Sequence, residues 1–322
     1  RGTHRMPSCV EPRVKRDHMK GTYREISILL PAYNNVCVPL VEELQRQAAL
    51  LPGLQYEILV ADDGSTCQEA ISQNRLIGQL ACCRYIERKQ NTGRSAIRNF
   101  LAREARYGRM LFVDSDLHVC SPSFLKDYLE AEGDIVVGGI LKGGDASRLA
   151  SNLRYRYETD YQRKHDFSHR QQAEDKDFSA ASFLATKQVM TICPFDENFK
   201  GYGYEDVLLG KSFSLHGFRI VHINNPLLMD KYEDNDTYLE KTQEACRTLY
   251  VFRSELRGYS KLISWQEKLQ KHPWLYGLLR KSFPWASPWM RKWLTGNHPS
   301  VTLFNAYKLL YYIHLHEKDE AI

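Results

Sequence analysis

Two aspartates follow a short apolar run in the segment "YGRMLFVDSDLHV", residues 107–119. An apolar run of this length is typical of a buried strand, and strands of α/β sheets often carry reactive groups at their carboxyl ends. In extended chain, side chains two residues apart point the same way, so Asp114 and Asp116 can converge on one divalent cation. A loop turn that begins with Asp and Ser is the alternative explanation.

A second acidic pair, Asp62 and Asp63, follows the apolar run "ILVA" and precedes Gly64 and Ser65. A carboxylate at this point can accept hydrogen bonds from a base or a ribose, and the amides after it can donate to phosphate. Asp and Ser can equally cap a turn between a strand and a helix. The residue types alone leave both interpretations open.

The third acidic pair, Glu205 and Asp206, ends the segment "GYGYED" at the start of a predicted helix. A carboxylate there can act as a general base, and the flexibility of Gly203 favours a turn that admits a hydroxyl group. The alternative is an acid that caps the helix and is stabilised by its dipole. Tyr202 and Tyr204 can stack on a sugar or pack in the core.

Three further basic side chains are candidates for the same site. Arg94 and Arg98 lie in the first turns of a helix that opens at Gly93, where they can reach a diphosphate or form a solvated basic face. His222 follows the apolar run "FRIV" and ends a strand, either as a metal ligand or as a packed residue.

The elements that position these residues alternate between strand and helix from residue 25 to about residue 140. Such alternation predicts an α/β fold with a mostly parallel central sheet flanked by helices. Residues 145–165 have a helical pattern, "HDFSHRQQAEDKD" is predicted to be a polar loop, and "FSAASFLA" is predicted to be another strand. Beyond Pro226 the pattern is mainly helical.

Composition places the chain among globular proteins. Of its 322 residues 43% are hydrophobic and 26% charged, and no apolar run approaches the ~20 residues that span a bilayer. The first twenty residues lack an apolar signal segment, so we interpret residues 1–22 as a tag or disordered extension, with Met19 as a natural start. Eight scattered cysteines without paired spacing favour reduced thiols and a cytoplasmic location.

Five segments resemble the inverting glycosyltransferases of family 2, which have the GT-A fold. They are "SILLPAYNN", "ILVADDGST", "NTGRSAIRN", "LFVDSDLHV" and "FDENFKGYGYEDVLLG", in the family's order, between about residues 25 and 225. The resemblance implies a GT-A catalytic domain at residues 23–230, of a type that builds bacterial polysaccharides or glycolipids. It also implies a nucleotide-sugar donor, with UDP expected, a glycan or lipid-linked acceptor, and Mn²⁺ or Mg²⁺ as cofactor.

The resemblance also implies a role for each candidate. Asp116 is the expected metal ligand with Asp114 nearer the ribose, Asp206 the expected base, and Glu205 a residue that positions the acceptor. A histidine after the next strand is a metal ligand in some relatives, which makes His222 a candidate. The nucleotide-binding residues implied are Pro31, Ala32, Tyr33, Asn34, Asp62, Asp63, Gly93, Arg94, Arg98, Asp114 and Ser115; acceptor contacts are implied at Tyr202, Gly203 and Tyr204. Many relatives have Trp where this chain has Tyr202.

The C-terminal region, residues 231–322, is predicted to be a helical extension of different character. Between Lys261 and His316 the chain has eight Lys and Arg residues and one acid, Glu267, and all five tryptophans fall there. Basic, Trp-rich helices can lie in a membrane interface, which would make the enzyme peripheral on the inner face of the cell membrane. The alternative is a helical cap packed on the catalytic domain. No nucleic-acid motif accompanies the basic residues.

Two other function classes fit the sequence less well than a transferase does. A sugar nucleotidyltransferase would need a glycine-rich basic loop directly after the first strand, and "PAYNN" has none. A non-catalytic nucleotide-sugar-binding or scaffold protein would tolerate loss of the base, whereas the pair at 205 and 206 is intact.

Overall fold

The computed structural model describes residues 24–316. The predicted N-terminal extension, residues 1–22, and the predicted start at Met19 lie outside these residues. Within the described range, no helix combines the length and the apolar character that crossing a membrane requires. The seven cysteines of this range are all free thiols.

The strands, in chain order, are short after the first two. They are β1 (Glu25–Ala32), β2 (Gln55–Asp62), β3 (Cys83–Glu87), β4 (Arg109–Val113), β5 (His118–Val119), β6 (Ile135–Val137), β7 (Ile140–Lys142), β8 (Ser182–Thr186), β9 (Ile220–His222) and β10 (Leu227–Met229). Seven of them form the central sheet in the order β3-β2-β1-β4-β8-β6-β9, and β5-β10-β7 form a small second sheet.

The helices follow the strands through most of the chain and occupy the C-terminal region alone. They are α1 (Val38–Ala49), α2 (Gln68–Asn74), α3 (Arg94–Glu104), α4 (Phe124–Glu130), α5 (Leu153–Lys164), α6 (Phe167–Ala173), α7 (Lys187–Ile192), α8 (Glu205–Leu215), α9 (Asn235–Val251), α10 (Lys261–Gln270), α11 (Pro273–Leu294) and α12 (Val301–Leu315). Two 3₁₀ turns, Arg75–Gln79 and Glu174–Asp177, complete the elements.

The central sheet is mostly parallel, as the alternating pattern predicts. β3, β2, β1 and β4 run parallel, whereas β8 is antiparallel to both of its neighbours, β4 and β6. Successive side chains of a strand point to opposite faces, so Ile28 and Leu30 pack in one core cluster and Leu29 packs in the other. Both faces are covered by helices, which confirms the predicted α/β class.

The polar loop predicted at residues 165–177 is wrong. The segment forms α6 and the 3₁₀ turn Glu174–Asp177. No residue of α6 is buried, so the helix has no apolar stripe that sequence periodicity could detect. Its position depends instead on polar contacts of Arg170 and His165 with other elements, described below.

The C-terminal helices share a core cluster with earlier parts of the chain. This third cluster joins Leu153 of α5 and Phe199 to residues of α9 to α12 such as Leu249 and Tyr312. One of the two predicted alternatives, a helical cap, therefore applies to the buried tyrosines and phenylalanines of these helices. The tryptophans behave differently and remain exposed.

Candidate active site

The carboxyl ends of three neighbouring parallel strands bring the first two acidic pairs to one edge of the sheet. β1 lies between β2 and β4, with Ala32 paired to Asp62 and Leu29 paired to Phe112. Asp62 is the last residue of β2, and Asp114 directly follows β4. In open α/β sheets, ligands bind in the crevice at this edge.

Arg98 connects the first acidic pair, at Asp114 and Asp116, with the third, at Glu205 and Asp206. Its Nη2 donates a 2.6 Å hydrogen bond to Oδ1 of Asp114, and its Nη1 is 3.9 Å from Oε1 of Glu205. The arginine is 3% exposed, so both acids and the guanidinium form one largely desolvated group. Residues 114 and 205, which are far apart in sequence, therefore lie on either side of one side chain.

Arg94, one turn earlier in α3, contacts Glu205 from the solvent side. Its Nη1 is 3.7 Å from Oε1 of Glu205, and its guanidinium lies 4.8 Å from the ring centroid of Tyr202. The charge of Arg94 also acts on both Asp116 and Asp206. All four acids of the two motifs therefore surround the first turns of α3.

Asp206 has the protonation behaviour of a base that works near neutral pH. Burial, followed by the negative charge of Glu205, raises the pKa of Asp206 to about 7. The backbone N–H of Val207, which donates to Oδ1 of Asp206 over 2.8 Å, and the two arginines oppose this rise. A carboxylate with such a pKa can accept a proton from a hydroxyl group more readily than an ordinary aspartate.

Asp116 is destabilised in its charged form. Asp116 is exposed, yet desolvation by the surrounding protein atoms and then the carboxylate of Asp114 raise the pKa of Asp116, while Arg94 lowers it. Because Arg98 already pairs with Asp114, the negative charge of Asp116 has only partial compensation from the protein. A divalent cation would supply the missing positive charge, and carboxylate oxygens are the ligands that Mn²⁺ and Mg²⁺ accept.

The two carboxylate oxygens of Glu205 have different surroundings. Its Oε1 faces Arg94 and Arg98, whereas Oε2 is buried and makes no hydrogen bond to any residue of the described range. A buried acceptor without a partner is costly, so Oε2 is a candidate contact for a ligand hydroxyl.

Asp62 and Asp63 are buried and already hydrogen-bonded within the protein. Asp62 accepts from the backbone N–H of Ser65 and from the Tyr85 hydroxyl over 2.7 and 2.9 Å. Asp63 accepts from the N–H groups of Thr92 and Gly93 and lies 3.1 Å from Arg88 Nη1. Asp63 therefore fixes the loop that leads into α3, and with it the position of Arg94 and Arg98.

The turn after β1 lies beside the other two strand ends. Asn34, at φ 52°, accepts from the N–H groups of Thr66 and Cys67 through its side chain and thereby holds the turn after β2. Pro31 and Ala32 are the last residues of β1. The ring of Tyr33 is 47% exposed and can stack on a planar group.

Asn35 is a site residue that the sequence analysis missed. Its Nδ2 donates to the backbone oxygen of Ser115 over 2.9 Å, and its Oδ1 lies 3.1 Å from the Ser115 hydroxyl. That hydroxyl also donates to the backbone oxygen of Pro31 over 2.7 Å. Asn35 and Ser115 thus lock the turn between Asp114 and Asp116 to the end of β1. The doubled asparagine in "PAYNN" was the available signal.

The segment before α8 bends through two left-handed residues, Gly203 at φ 92° and Tyr204 at φ 69°. This backbone conformation is ordinary for glycine and rare for other residues. The N–H of Tyr202 donates to Oε1 of Glu244 over 2.9 Å, so α9 holds the turn from outside. The bend presents Tyr202 to Arg94 and places Glu205 and Asp206 in the first turn of α8.

His222 lies buried at the end of β9, and its Nδ1 is 3.3 Å from Nη1 of Arg170. Arg170 on α6 is a second residue that the sequence analysis missed, because it falls in the segment predicted to be a loop. Within residues 24–316, His222 does not form a cluster of three possible metal ligands with Asp114 and Asp116.

Comparison with known proteins gives a family match and several similar folds. Residues 27–186 match the family described as Glycosyl transferase family 2. No curated protein matches the chain significantly. Among solved structures, the mannosyltransferase PcManGT from Pyrobaculum calidifontis aligns with a TM-score of 0.54 and 13% identity, over 94% of this chain and 90% of that chain.

Two further solved structures align less closely. S. aureus TarS has a TM-score of 0.47 and 17% identity over 92% of this chain, which spans about half of that protein, 53%. Glucosyl-3-phosphoglycerate synthase from Mycobacterium tuberculosis has a TM-score of 0.46 and 20% identity over 71% of this chain and 79% of that chain. On the family match, residues 27–186 are a glycosyl transferase family 2 domain and the protein is a glycosyltransferase, and the alignment with PcManGT shows that the fold is shared.

Proposed function

We propose that the protein is an inverting, metal-dependent transferase that moves a sugar from a nucleotide-diphosphate donor to a hydroxyl group of a glycan or lipid-linked acceptor. The observation that carries this proposal is the position of Arg98 between Asp114 and Glu205, at 2.6 and 3.9 Å. Arg98 thereby brings the acids expected at the donor, Asp114 and Asp116, close to the acids expected at the acceptor, Glu205 and Asp206. A single displacement requires the two sets to lie together.

The cation would be Mn²⁺ or Mg²⁺, held by Asp116 with Asp114 beside it and His222 as a further candidate. The fit rests on the donor set, because Asp114 and Asp116 follow the end of β4 two residues apart, Asp116 is exposed, and carboxylate oxygens are the ligands that both cations accept. When bound, the cation supplies charge stabilisation to the departing diphosphate. PcManGT was crystallised with GDP-Man and Mn²⁺, which supports a divalent cation in this fold.

The nucleotide would occupy the crevice formed by the ends of β1, β2 and β4. Tyr33 offers an exposed ring for the base, and the turns at Asn34 and at Asp62 and Asp63 line the crevice. Gly93 and Arg94 open α3, where backbone N–H groups and the guanidinium favour a diphosphate. We propose UDP as the nucleotide, with GDP as the alternative to test.

Asp206 would remove the proton from the acceptor hydroxyl as its oxygen attacks the anomeric carbon opposite the diphosphate. One displacement inverts the anomeric configuration and needs one base, unlike the carboxylate pair of a retaining hydrolase. Glu205 would orient the acceptor through its unpartnered Oε2, and Tyr202, Gly203 and Tyr204 would shape the acceptor side.

The C-terminal region carries exposed aromatic side chains. We propose residues 23–230 as the catalytic unit and residues 231–322 as an extension that attaches peripherally to anionic lipid. All five tryptophans are exposed, with exposed fractions from 55% at Trp265 to 87% at Trp285. On α11, exposed Trp274, Leu278, Lys281, Trp285 and Trp289 recur every three or four residues and therefore share one face.

The decisive experiment measures release of nucleoside diphosphate from UDP-sugars and GDP-sugars with Mn²⁺ and a candidate acceptor. A thermal-shift screen of the same donors first identifies the nucleotide. We expect Asp206→Asn to retain donor binding and to lose turnover by at least about 100-fold, the usual contribution of a general base. The matched control is Glu240→Gln, an exposed acid of α9. Turnover of Asp206→Asn equal to that of the control would overturn the proposal.

A further inference from the structure

A second cluster of possible metal ligands lies where the end of α5, α6 and the following 3₁₀ turn meet. It consists of His165, His169 and Asp177, whose ligand atoms all lie within 4.8 Å of one another. Among the side chains that the structure describes, no other three of His, Cys, Asp or Glu meet this condition. The sugar transfer proposed above uses none of the three.

The contact between His165 and Asp177 has the spacing of two ligands of one ion. Nδ1 of His165 is 3.0 Å from Oδ1 and 3.2 Å from Oδ2 of Asp177. Two atoms that each lie about 2.1 Å from a tetrahedral ion are about 3.4 Å apart. The ring of His169 is exposed and lies edge-on to that of His165, with centroids 5.0 Å apart, so it can rotate towards the same point without disturbing the core.

Neighbouring groups hold the two inner ligands in place. The side chains of His165 and Asp177 are only 14% and 7% exposed. Tyr161 stacks on His165 with 3.9 Å between ring centroids, and its hydroxyl is 3.4 Å from Oδ1 of Asp177. Partners that fix the orientation of ligands in this way are typical of metal sites. The alternative is a hydrogen-bonded pair of His165 and Asp177 without an ion. That alternative does not explain why His169 lies beside the pair.

We propose that His165, His169 and Asp177 bind a divalent transition-metal ion, with Zn²⁺ as the preferred one. Two imidazoles and one carboxylate suit Zn²⁺, Co²⁺ or Ni²⁺, whereas Mg²⁺ and Mn²⁺ prefer sites made of oxygen ligands. The donor set therefore separates this site from the carboxylate site at Asp114 and Asp116.

The ion has a structural consequence for the neighbouring strand ends. Arg170 follows His169 directly, donates from Nη2 to the backbone oxygen of Gly138 over 3.3 Å, and lies beside His222. Gly139 makes room for it, since a Cβ at that position would lie 2.6 Å from Nη1 of Arg170. An ion that joins His169 to Asp177 fixes α6 and thereby holds Arg170 against the ends of β6 and β9.

The test uses the full chain, stripped of metal with a chelator and dialysed. Zn²⁺ is titrated in the presence of excess Mg²⁺, and bound metal is measured by equilibrium dialysis with elemental analysis. Co²⁺ is the spectroscopic probe, because imidazole ligation changes its visible absorption. We expect about one equivalent of Zn²⁺ per chain and at least a tenfold higher dissociation constant in His169→Ala and in Asp177→Asn.

His298→Ala, which removes an exposed histidine from the loop before α12, is the matched control and should bind Zn²⁺ as the unaltered chain does. Asp116→Asn should also retain the Zn²⁺ site, which separates this result from the fate of the proposed transfer reaction. His169 is exposed, so its variant tests the site even if Asp177→Asn fails to fold. Absence of stoichiometric Zn²⁺, or unchanged Zn²⁺ affinity in His169→Ala, would overturn the proposal.

Discussion

Nη2 of Arg98 donates a 2.6 Å hydrogen bond to Oδ1 of Asp114 and thereby ties the first turns of α3 to the turn after β4. The Arg98 side chain is only 4% exposed to solvent, whereas the Asp114 side chain is 21% exposed. A charge-assisted hydrogen bond in such surroundings is strong, and loss of one partner leaves the other charge buried.

Replacement of Arg98 by Met should therefore lower both the stability of the fold and the turnover. We expect the free energy of unfolding to fall by about 3–5 kcal/mol, because Asp114 loses its partner. Turnover should fall together with it. Urea unfolding and nucleoside diphosphate release measure the two effects. Arg103→Met, on the same helix but 66% exposed, is the control and should change the free energy of unfolding by less than about 1 kcal/mol. Equal effects of the two variants would contradict the central role of Arg98.

The pH dependence of turnover should follow Asp206. A base must be deprotonated, so turnover should rise as pH increases through about 7, the value to which burial and Glu205 raise the pKa of Asp206. Glu205→Gln removes the neighbouring negative charge, and the midpoint of the profile should move to lower pH. The midpoint of Glu240→Gln should stay in place. A profile that is flat between pH 5 and 9 would rule out Asp206 as the base.

The raised pKa of Asp206 also predicts that replacing this residue stabilises the fold at high pH, although the same change lowers turnover. A carboxyl group whose pKa is higher in the folded than in the unfolded state stabilises the fold at low pH and loses that contribution as pH rises through the folded-state pKa. The contribution is lost between the unfolded-state and folded-state pKa values, so Asp206→Asn should raise the melting temperature by a few degrees at pH 8 and by less at pH 5. Differential scanning calorimetry at both values tests this, and a lower melting temperature at pH 8 would contradict it.

Metal removal should stop the reaction and depend on Asp116. We expect chelation to abolish nucleoside diphosphate release and added Mn²⁺ to restore it. In Asp116→Asn the Mn²⁺ concentration for half-maximal rate should rise at least tenfold, because the remaining carboxylate is engaged by Arg98. Asp160→Asn, a change in an acid of α5 paired with Lys164, is the control. An unchanged Mn²⁺ requirement in Asp116→Asn would remove this residue from the metal site.

The exposed face of α11 should carry membrane attachment. We expect the full chain to float with vesicles that contain anionic lipid and Trp285→Ala/Trp289→Ala to float several-fold less, because interfacial binding follows apolar area and charge. Leu76→Ala/Leu215→Ala removes two exposed leucines elsewhere and serves as the control. Full-length variants are preferable to truncation near Lys261, since truncation would uncover the third core cluster. Failure of the unaltered chain to bind such vesicles would end the proposal.

The fold class and the family were predictable from the chain because their signals are local and repeated. Buried strands such as "SILLP" and "RMLFV" are recognised by their apolar runs. Each acidic pair follows an apolar run or opens a helix. The sheet order, and the antiparallel course of β8 between β4 and β6, depend on contacts between distant segments and left no local pattern. The assigned roles of the site residues stay predictions.

The sequence by itself determined which side chains stand at strand ends and helix starts, since hydrophobic periodicity and glycine turns specify those positions along the chain. Only the tertiary structure decided what each one faces: that Asp63 holds the loop before α3, that Arg98 reaches both Asp114 and Glu205, and that Arg170 meets His222. A polar contact between residues far apart in sequence imposes no spacing on the residues around it. It becomes visible only when packing brings the two elements together.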